Sequence, residues 1–433
     1  MIADRKIEYS SYTLVYAAAV LAAKAHLDYV TAVLLMAEAM FLFIWNFRKT
    51  KNLVDMRGLF TLAWVGGEGI ACLKLSRLQS DWSNVTWLTF FLIYVCFNLG
   101  YDLWLGRFSK EQRQEVKRDE ISAKRILICI FGLMAASIAC FTLEAVVVGY
   151  IPLFNSAPHA YSYFHIKGIH YFTVSCVLVP SLSVVYCLMM ARRGRGLVRY
   201  KGFWLAVICD IVAVMIPLLC VSRFQLILAV GMAVFTYISM TGSFSLVYVG
   251  VLFVALIPAY VALTVLRSHS VEYLNGIFEM KNSHMPIFIT QPYMYIANNY
   301  DNFNCMTAEL KHFSFGLKGL FPLWALTGLK FIFPSLADFP LFVTKEELTT
   351  VTLFYDAFYD FGVVGMVFFG GLLGGVCYLL GRFRRKLTCP AGHVIYAQIA
   401  MYMMLSFFTT WFSNPTTWFY LIVSGIVYVY VNS

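Results

Sequence analysis

The chain has 433 residues, of which 60% are hydrophobic and only 13% charged, with a mean hydropathy of +0.72. A soluble globular protein of this length needs far more charge to cover its surface, so that class is excluded. The formal net charge of +10 is split among short loops, which argues against nucleic acid as a partner.

Apolar runs long enough to cross a bilayer recur along the whole chain, and they are continuous rather than alternating. The expected fold is therefore all-α: a polytopic integral membrane protein, read as a single transmembrane domain over 1–433. Counting about 20 apolar residues per span gives about twelve helices. In chain order they are 10–25, 29–47, 58–75, 83–105, 125–148, 169–191, 202–221, 224–240, 244–265, 353–381, 392–412 and 416–432. The first is short and interrupted by Lys24, His26 and Asp28. The opening stretch leads straight into further spans and lacks the pattern of a cleavable signal peptide. "GGLLGG" (370–375) suits close helix packing in lipid.

Charge orients the bundle. The loops at 48–57, 106–125, 192–201 and 382–386 carry 4, 7, 5 and 4 Lys/Arg, which is 20 of the chain's 33. All four fall on one side of the twelve-span arrangement, so that side is expected to be cytoplasmic, with both termini on it. The other side has two substantial segments, 149–168 and 266–352. The longer holds 6 Lys/Arg and 7 Asp/Glu, so charge does not orient it. Within it, 315–334 is apolar but broken by Gly, Pro and Lys, and is expected to lie along the outer surface as an amphipathic or re-entrant piece.

Most of the 11 cysteines sit inside spans, so no disulfide framework is expected. No Cys/His spacing resembles a zinc site and no Gly-rich nucleotide loop is present, so no metal or cofactor is expected.

The polar residues of the outer side are unevenly chosen. Six of the eight histidines lie there or at its edge: His159, His165, His170, His269, His284 and His312. Arg223 and Arg267 sit where outer helix ends meet water. In "QPYMYIANNYDNFN" (291–304) aromatics alternate with amides, as in a carbohydrate site, where rings stack on sugar faces and polar groups bond hydroxyls. Tyr293, Tyr295, Asn298 and Asn299 are its substrate-binding candidates, against the reading of an ordinary interfacial aromatic belt.

Three stretches carry a resemblance. "GYIPLFNSAPHAYSYFHIKGIHYF" (149–172), "SRFQLIL" (222–228) and "LFYDAFYDFGVVGMVFFGGLLG" (353–374) resemble segments of the bacterial oligosaccharide repeat-unit polymerases, the Wzy type serving O-antigen and capsule. The family's patterns there are a Gly-x-Pro-aliphatic-Phe loop, a short Ser/Gly-Arg turn between helices, and Tyr-x-Asp-Phe-Gly-x-x-Gly opening a late helix; this chain has Gly149-Tyr-Ile-Pro152-Leu-Phe154, Ser222-Arg223 and Tyr359-Asp-Phe-Gly362-x-x-Gly365. The likeness covers roughly 130–385; the first four spans match only in hydropathy.

The resemblance implies a GT-C-like membrane glycosyltransferase at the outer face of the bacterial cytoplasmic membrane. Its partners would be the bilayer and undecaprenyl-diphosphate-linked glycans, with a chain-length regulator and a flippase beside it. The growing chain would move in one block onto a new lipid-linked repeat unit. The sugar–diphosphate bond supplies the energy, which fits the missing nucleotide site. Arg223 would hold the diphosphate through paired, charge-assisted hydrogen bonds, against the alternative of a snorkelling arginine. Arg267 is a second such cation, and His165 and His269 are candidate bases. Asp360 would activate the acceptor hydroxyl or serve as a helix-capping carboxylate, and Tyr359 beside it would contact substrate. Glu68, Asp102, Glu144 and Asp210 lie within spans, where pairing inside the bundle competes with function. A lipid-linked glycan ligase and a lipid-linked oligosaccharide flippase or other transporter are the rival functions. The long outer loop is expected to cover a cavity reaching both lipid and water.

Overall fold

The computed structural model describes residues 2–107, 120–155, 160–192, 196–244, 271–385, 387 and 389–433. Its long helices are α1 (Ile2–Lys24), α2 (Asp28–Thr50), α3 (Met56–Ala71), α4 (Asn84–Arg107), α5 (Glu120–Val148) and α6 (His170–Ala191). They continue as α7 (Lys201–Leu219), α8 (Arg223–Thr241), α9 (Ile287–Glu309), α10 (Tyr355–Arg385), α11 (Gly392–Met404) and α12 (Pro415–Asn432). The all-α expectation holds. Among the described residues, seven helices are long and apolar enough to cross a membrane: α2, α4, α5, α6, α7, α8 and α10. Helices also stand at four further expected spans (α1, α3, α11 and α12), but they fall short of that length or hydropathy. The expected span 244–265 lies outside the described residues from 245 onward.

The chain divides into two compact units: Met1–Glu111 with Val271–Arg382 and Tyr402–Pro415, and Gln112–Ser270 with Phe383–Met401 and Thr416–Ser433. In the first, part of the expected outer loop folds back onto the N-terminal helices as α9. Tyr300 of α9 donates its hydroxyl to the Trp64 carbonyl of α3 at 2.8 Å, and a Cβ on Gly67 would come within 2.4 Å of that hydroxyl. The backbone before α9 is tied to the α3–α4 connection: Arg77 N donates to Glu279 O and Lys281 N to Leu75 O, both at 2.9 Å.

Helix α3 is apolar around nearly its whole circumference and correspondingly buried. Its start is set by Asp55, whose carboxylate accepts from Gly58 N and from Asn46 Nδ2. Helix α10 crosses α4 at backbone contact. A Cβ on Gly374 would meet Phe97 O at 1.9 Å, and one on Gly100 would meet Gly371 O at 1.9 Å. This is the close approach that the 370–375 glycines lead one to expect.

Asp102 illustrates a buried acid that is paired. It is 8% exposed and accepts from Arg57 Nη1 at 2.9 Å and Tyr9 OH at 3.1 Å, with Arg5 Nε at 3.6 Å. Arg57 reaches onward to Glu8 at 2.7 Å, which Lys49 also holds at 2.8 Å. Removing Asp102 breaks a buried ion pair and leaves Glu8 as the carboxylate on Arg57, and breaking a buried pair typically costs about 3–5 kcal/mol. Asp102→Ala should therefore lower the thermal unfolding midpoint of detergent-purified protein well below that of Lys49→Ala, whose ion pair is more exposed. Equal midpoints would contradict the network's structural role.

The second unit packs α5, α6, α7 and α8 around Ile126, Ile130, Val179, Val185, Ala206 and Ala213, all at 0% exposure. α8 closes on Gly242 in the left-handed region at φ 69°.

Candidate functional site

In the second unit, two of the three motif-bearing stretches meet. α5 ends at Gly149, φ 83°, and the chain turns through a short 3₁₀ segment whose first residue, Pro152, is buried. The loop is held from below by Glu144, which is 0% exposed. Its carboxylate accepts from Ile166 N at 2.9 Å and Thr173 Oγ1 at 2.8 Å, and His170 Nδ1 stands 3.2 Å from both oxygens. Glu144 thus positions the loop. His165 rides on this loop, exposed, with its ring centroid 6.3 Å from that of His170. Val221 and Leu226, flanking Arg223, pack with Leu153 and Tyr161 of the same loop.

Arg223 is the first residue of α8 and is 7% exposed. Before it, Val221 holds φ 53°, a left-handed conformation that a β-branched side chain rarely adopts. Ser222 makes no side-chain cap to the helix. A guanidinium here lies at the positive end of the helix dipole, where a cation is disfavoured. The turn therefore places a buried arginine at the start of a helix, where guanidinium and first-turn N–H groups are donor chemistry that can serve an anion. Arg267 and His269 lie outside the described residues.

In the first unit, "YDFG" is not the start of a helix. α10 begins earlier, at Tyr355, and breaks at Gly362, whose φ 58° and ψ −144° are open essentially to glycine alone. A Cβ there would also meet Phe313 Cζ at 2.8 Å. Asp360, 3% exposed, neither caps its own helix nor presents a carboxylate to solvent. It accepts from the Ser314 hydroxyl, from Lys318 N at 3.1 Å and from Gly319 N at 2.8 Å. Both of its oxygens take part in anchoring residues 314–319.

That anchored loop turns Lys318 inward. Its ammonium sits 4.2 Å from the Tyr359 ring centroid and 3.8 Å from Asp356, with Tyr355 and Phe339 also around it. Burial pushes the Lys318 pKa down, while Asp356 and Asp360 pull it back up. Tyr359 is accordingly a wall of a lysine cage, 4% exposed, rather than a sugar-facing ring. The sequence reading missed Lys318, taking it only as a break in an apolar stretch. A lone cation inside an apolar run was the available signal, the same one that singles out Arg223.

Segment 315–334 forms two short helices, Phe321–Leu326 and Leu329–Ile332, not one. Both carry apolar side chains outward, including Leu323 at 50%, Phe331 at 55% and Ile332 at 69% exposure.

The amide-rich stretch, expected as a glycan site, has most of its polar groups bonded within the protein. Asn299 is 0% exposed and donates to Phe407 O at 2.7 Å while accepting from Thr350 Oγ1. Asn298, 1% exposed, accepts from Thr344 Oγ1 at 2.7 Å and donates to Leu348 O. Tyr293 OH accepts from Leu75 N at 2.9 Å and donates to Gln79 Oε1. These groups fasten 344–350 and the α3–α4 connection to α9, because a buried amide must find partners. Tyr295 is partly exposed, with its ring near Phe408 at 5.8 Å.

Asp301, also on α9, is 2% exposed and accepts from Trp82 Nε1 at 2.9 Å and Gln79 Nε2 at 3.0 Å. Burial pushes its carboxyl up to about 7, against the opposing pull of those two donors and Lys74. A carboxyl with a raised folded-state pKa gives stability that is full below its unfolded value and lost as pH rises through about 7. Unfolding midpoints should therefore fall between about pH 4 and 7 and level off above. Asp301→Asn should flatten that slope while lowering the midpoint at every pH. An unchanged slope in the Asn variant would refute the assignment.

Among the described residues the fold is all-helical, with seven helices long and apolar enough to cross a membrane. No protein-family model, no curated protein and no solved structure matches it.

Proposed function

We propose that this is a membrane glycosyltransferase that polymerises undecaprenyl-diphosphate-linked oligosaccharide repeat units into O-antigen or capsular polysaccharide. It would work at the outer face of the bacterial cytoplasmic membrane, on a frame of about twelve spans. The observation that carries the reading is Arg223, a buried guanidinium held at a helix N-terminus by a strained turn. A diphosphate beside it would accept paired, charge-assisted hydrogen bonds from the guanidinium and suit the positive end of the helix dipole.

The reaction is a displacement at the anomeric carbon. An acceptor hydroxyl oxygen bonds to that carbon as the bond to the lipid diphosphate breaks, and the bonding pair leaves with the diphosphate. Arg223 neutralises charge growing on the leaving group. The hydroxyl proton passes to a base, for which exposed His165, on the loop packed against the Arg223 turn, is the candidate. In cells lacking their own polymerase, the chain should restore laddered lipid-linked glycan. Expressed protein that restores no ladder would count against the reading.

One observation favours a transporter instead. Glu68, wholly buried in α3, has neither carboxylate oxygen hydrogen-bonded among the described residues. A wholly buried acid of this kind suits proton coupling. Proton-driven movement of lipid-linked oligosaccharide across vesicles, without chain growth, would favour that reading.

A further inference from the structure

The first unit contains a cavity of about 360 Å³ formed by the α1–α2 turn, the end of α3 and the α3–α4 connection. None of its lining residues comes from 266–352, so it is not the cavity expected beneath the long loop. Two indoles form part of its wall, Trp82 and Trp87, with ring centroids 4.8 Å apart and planes tilted by 54°. Both are fixed from behind. Trp82 donates Nε1 to the buried Asp301 at 2.9 Å, and Trp87, 6% exposed, has its indole edge-on to the Tyr16 ring at 5.7 Å between centroids.

Facing the indoles is a ring of paired charges. Lys74 Nζ is held by Asp28 at 2.8 Å and also by Asp81, and His26 Nδ1 lies 3.6 Å from Asp81. Lys74 and His26 both hold left-handed backbone, at φ 46° and 56°. Non-glycine residues in that region are uncommon, and such strain gathers where a side chain must be aimed. Of the lining charges, Lys24 and Lys74 balance Asp28 and Asp81, so the cavity offers no excess of either sign.

We infer that this cavity binds a neutral saccharide, with one or more sugar rings against Trp82 and Trp87 and hydroxyls bonded to the Lys74–Asp28–Asp81 cluster. Indole faces stack on the C–H faces of a pyranose, and carboxylates and ammonium groups together serve hydroxyls that both donate and accept. Charge balance disfavours phosphate or a uronate, which would need surplus cation. The volume is at the small end of ligand pockets, about 300–1,000 Å³, which fits a short glycan segment and not a polymer coil. The proposed polymerase reading supplies only the source of the glycan, a lipid-linked repeat unit. Binding itself does not depend on catalysis.

The test is saturation-transfer NMR on full-length protein in nanodiscs. The probes are methyl glucoside, methyl galactoside, methyl mannoside and N-acetylglucosamine, with glucuronate and inorganic phosphate as anionic comparators. At least one neutral probe should receive transfer from indole protons more strongly than glucuronate does. Trp87→Ala and Trp82→Ala should abolish the signal, and Trp45→Ala, on α2 away from the cavity, should keep it. Asp81 has a 61% exposed side chain, so Asp81→Asn leaves folding intact and should weaken binding about tenfold. No transfer to any neutral probe, or transfer that survives the Trp82, Trp87 and Asp81 changes, overturns the inference. Intact laddering without saccharide binding rejects this site alone, and binding without laddering rejects the polymerase alone.

Discussion

Replacing Arg223 with alanine is expected to cut polymer formation about ten- to a hundredfold or more, the scale of losing a hydrogen bond to a charged group. Protein level and membrane insertion should not change. Arg223→Lys should rescue only in part, because it keeps the charge and loses the planar fork. If the contact forms mainly in the transition state, the loss should fall on turnover more than on substrate affinity. The measurement is laddering of lipid-linked glycan at matched expression. An arginine serving only as a membrane anchor predicts the opposite pattern, with Lys fully active and Gln nearly so. Full activity of Arg223→Gln would falsify the anion-binding role.

Asp360→Ala should release residues 314–319. Three donors lose one acceptor, and two of them are backbone amides, Lys318 N and Gly319 N. Each hydrogen bond to a carboxylate contributes about 1.5–3 kcal/mol, so amide exchange at these positions should rise about ten- to a hundredfold or more. Asp360→Asn should fall between, since one oxygen still accepts. The ammonium of Lys318 should then leave its cage of Tyr359, Tyr355 and Phe339. Unchanged protection at Lys318 and Gly319 in the alanine variant would show that the loop is held by other contacts.

Helical class and helix positions were legible because apolar periodicity and length act locally. Arg223 was legible for the same reason, as one cation between two apolar runs. What the sequence concealed was the direction in which polar groups face. Asn298, Asn299 and Tyr293 have the composition of a sugar site, yet α9 turns them inward onto Thr344, Thr350, Leu75 and Gln79. Partners that distant in sequence leave no local pattern. Asp360 misled in a similar way: its position at a helix boundary suggested a cap, but the donors come from residues 314–319, more than 40 positions earlier. The division into two units was hidden too, since α9 joins the N-terminal helices from across the chain.

The central claim is chain growth from lipid-diphosphate donors. Its most direct measurement is reconstitution of the purified protein in liposomes with undecaprenyl-diphosphate-linked repeat units as the only substrate. The account predicts a ladder of lipid-linked products in steps of one repeat unit, with undecaprenyl diphosphate released once per step and the ladder strongly reduced by Arg223→Ala. Transfer of the glycan only to a foreign acceptor, or no released undecaprenyl diphosphate at all, would contradict it.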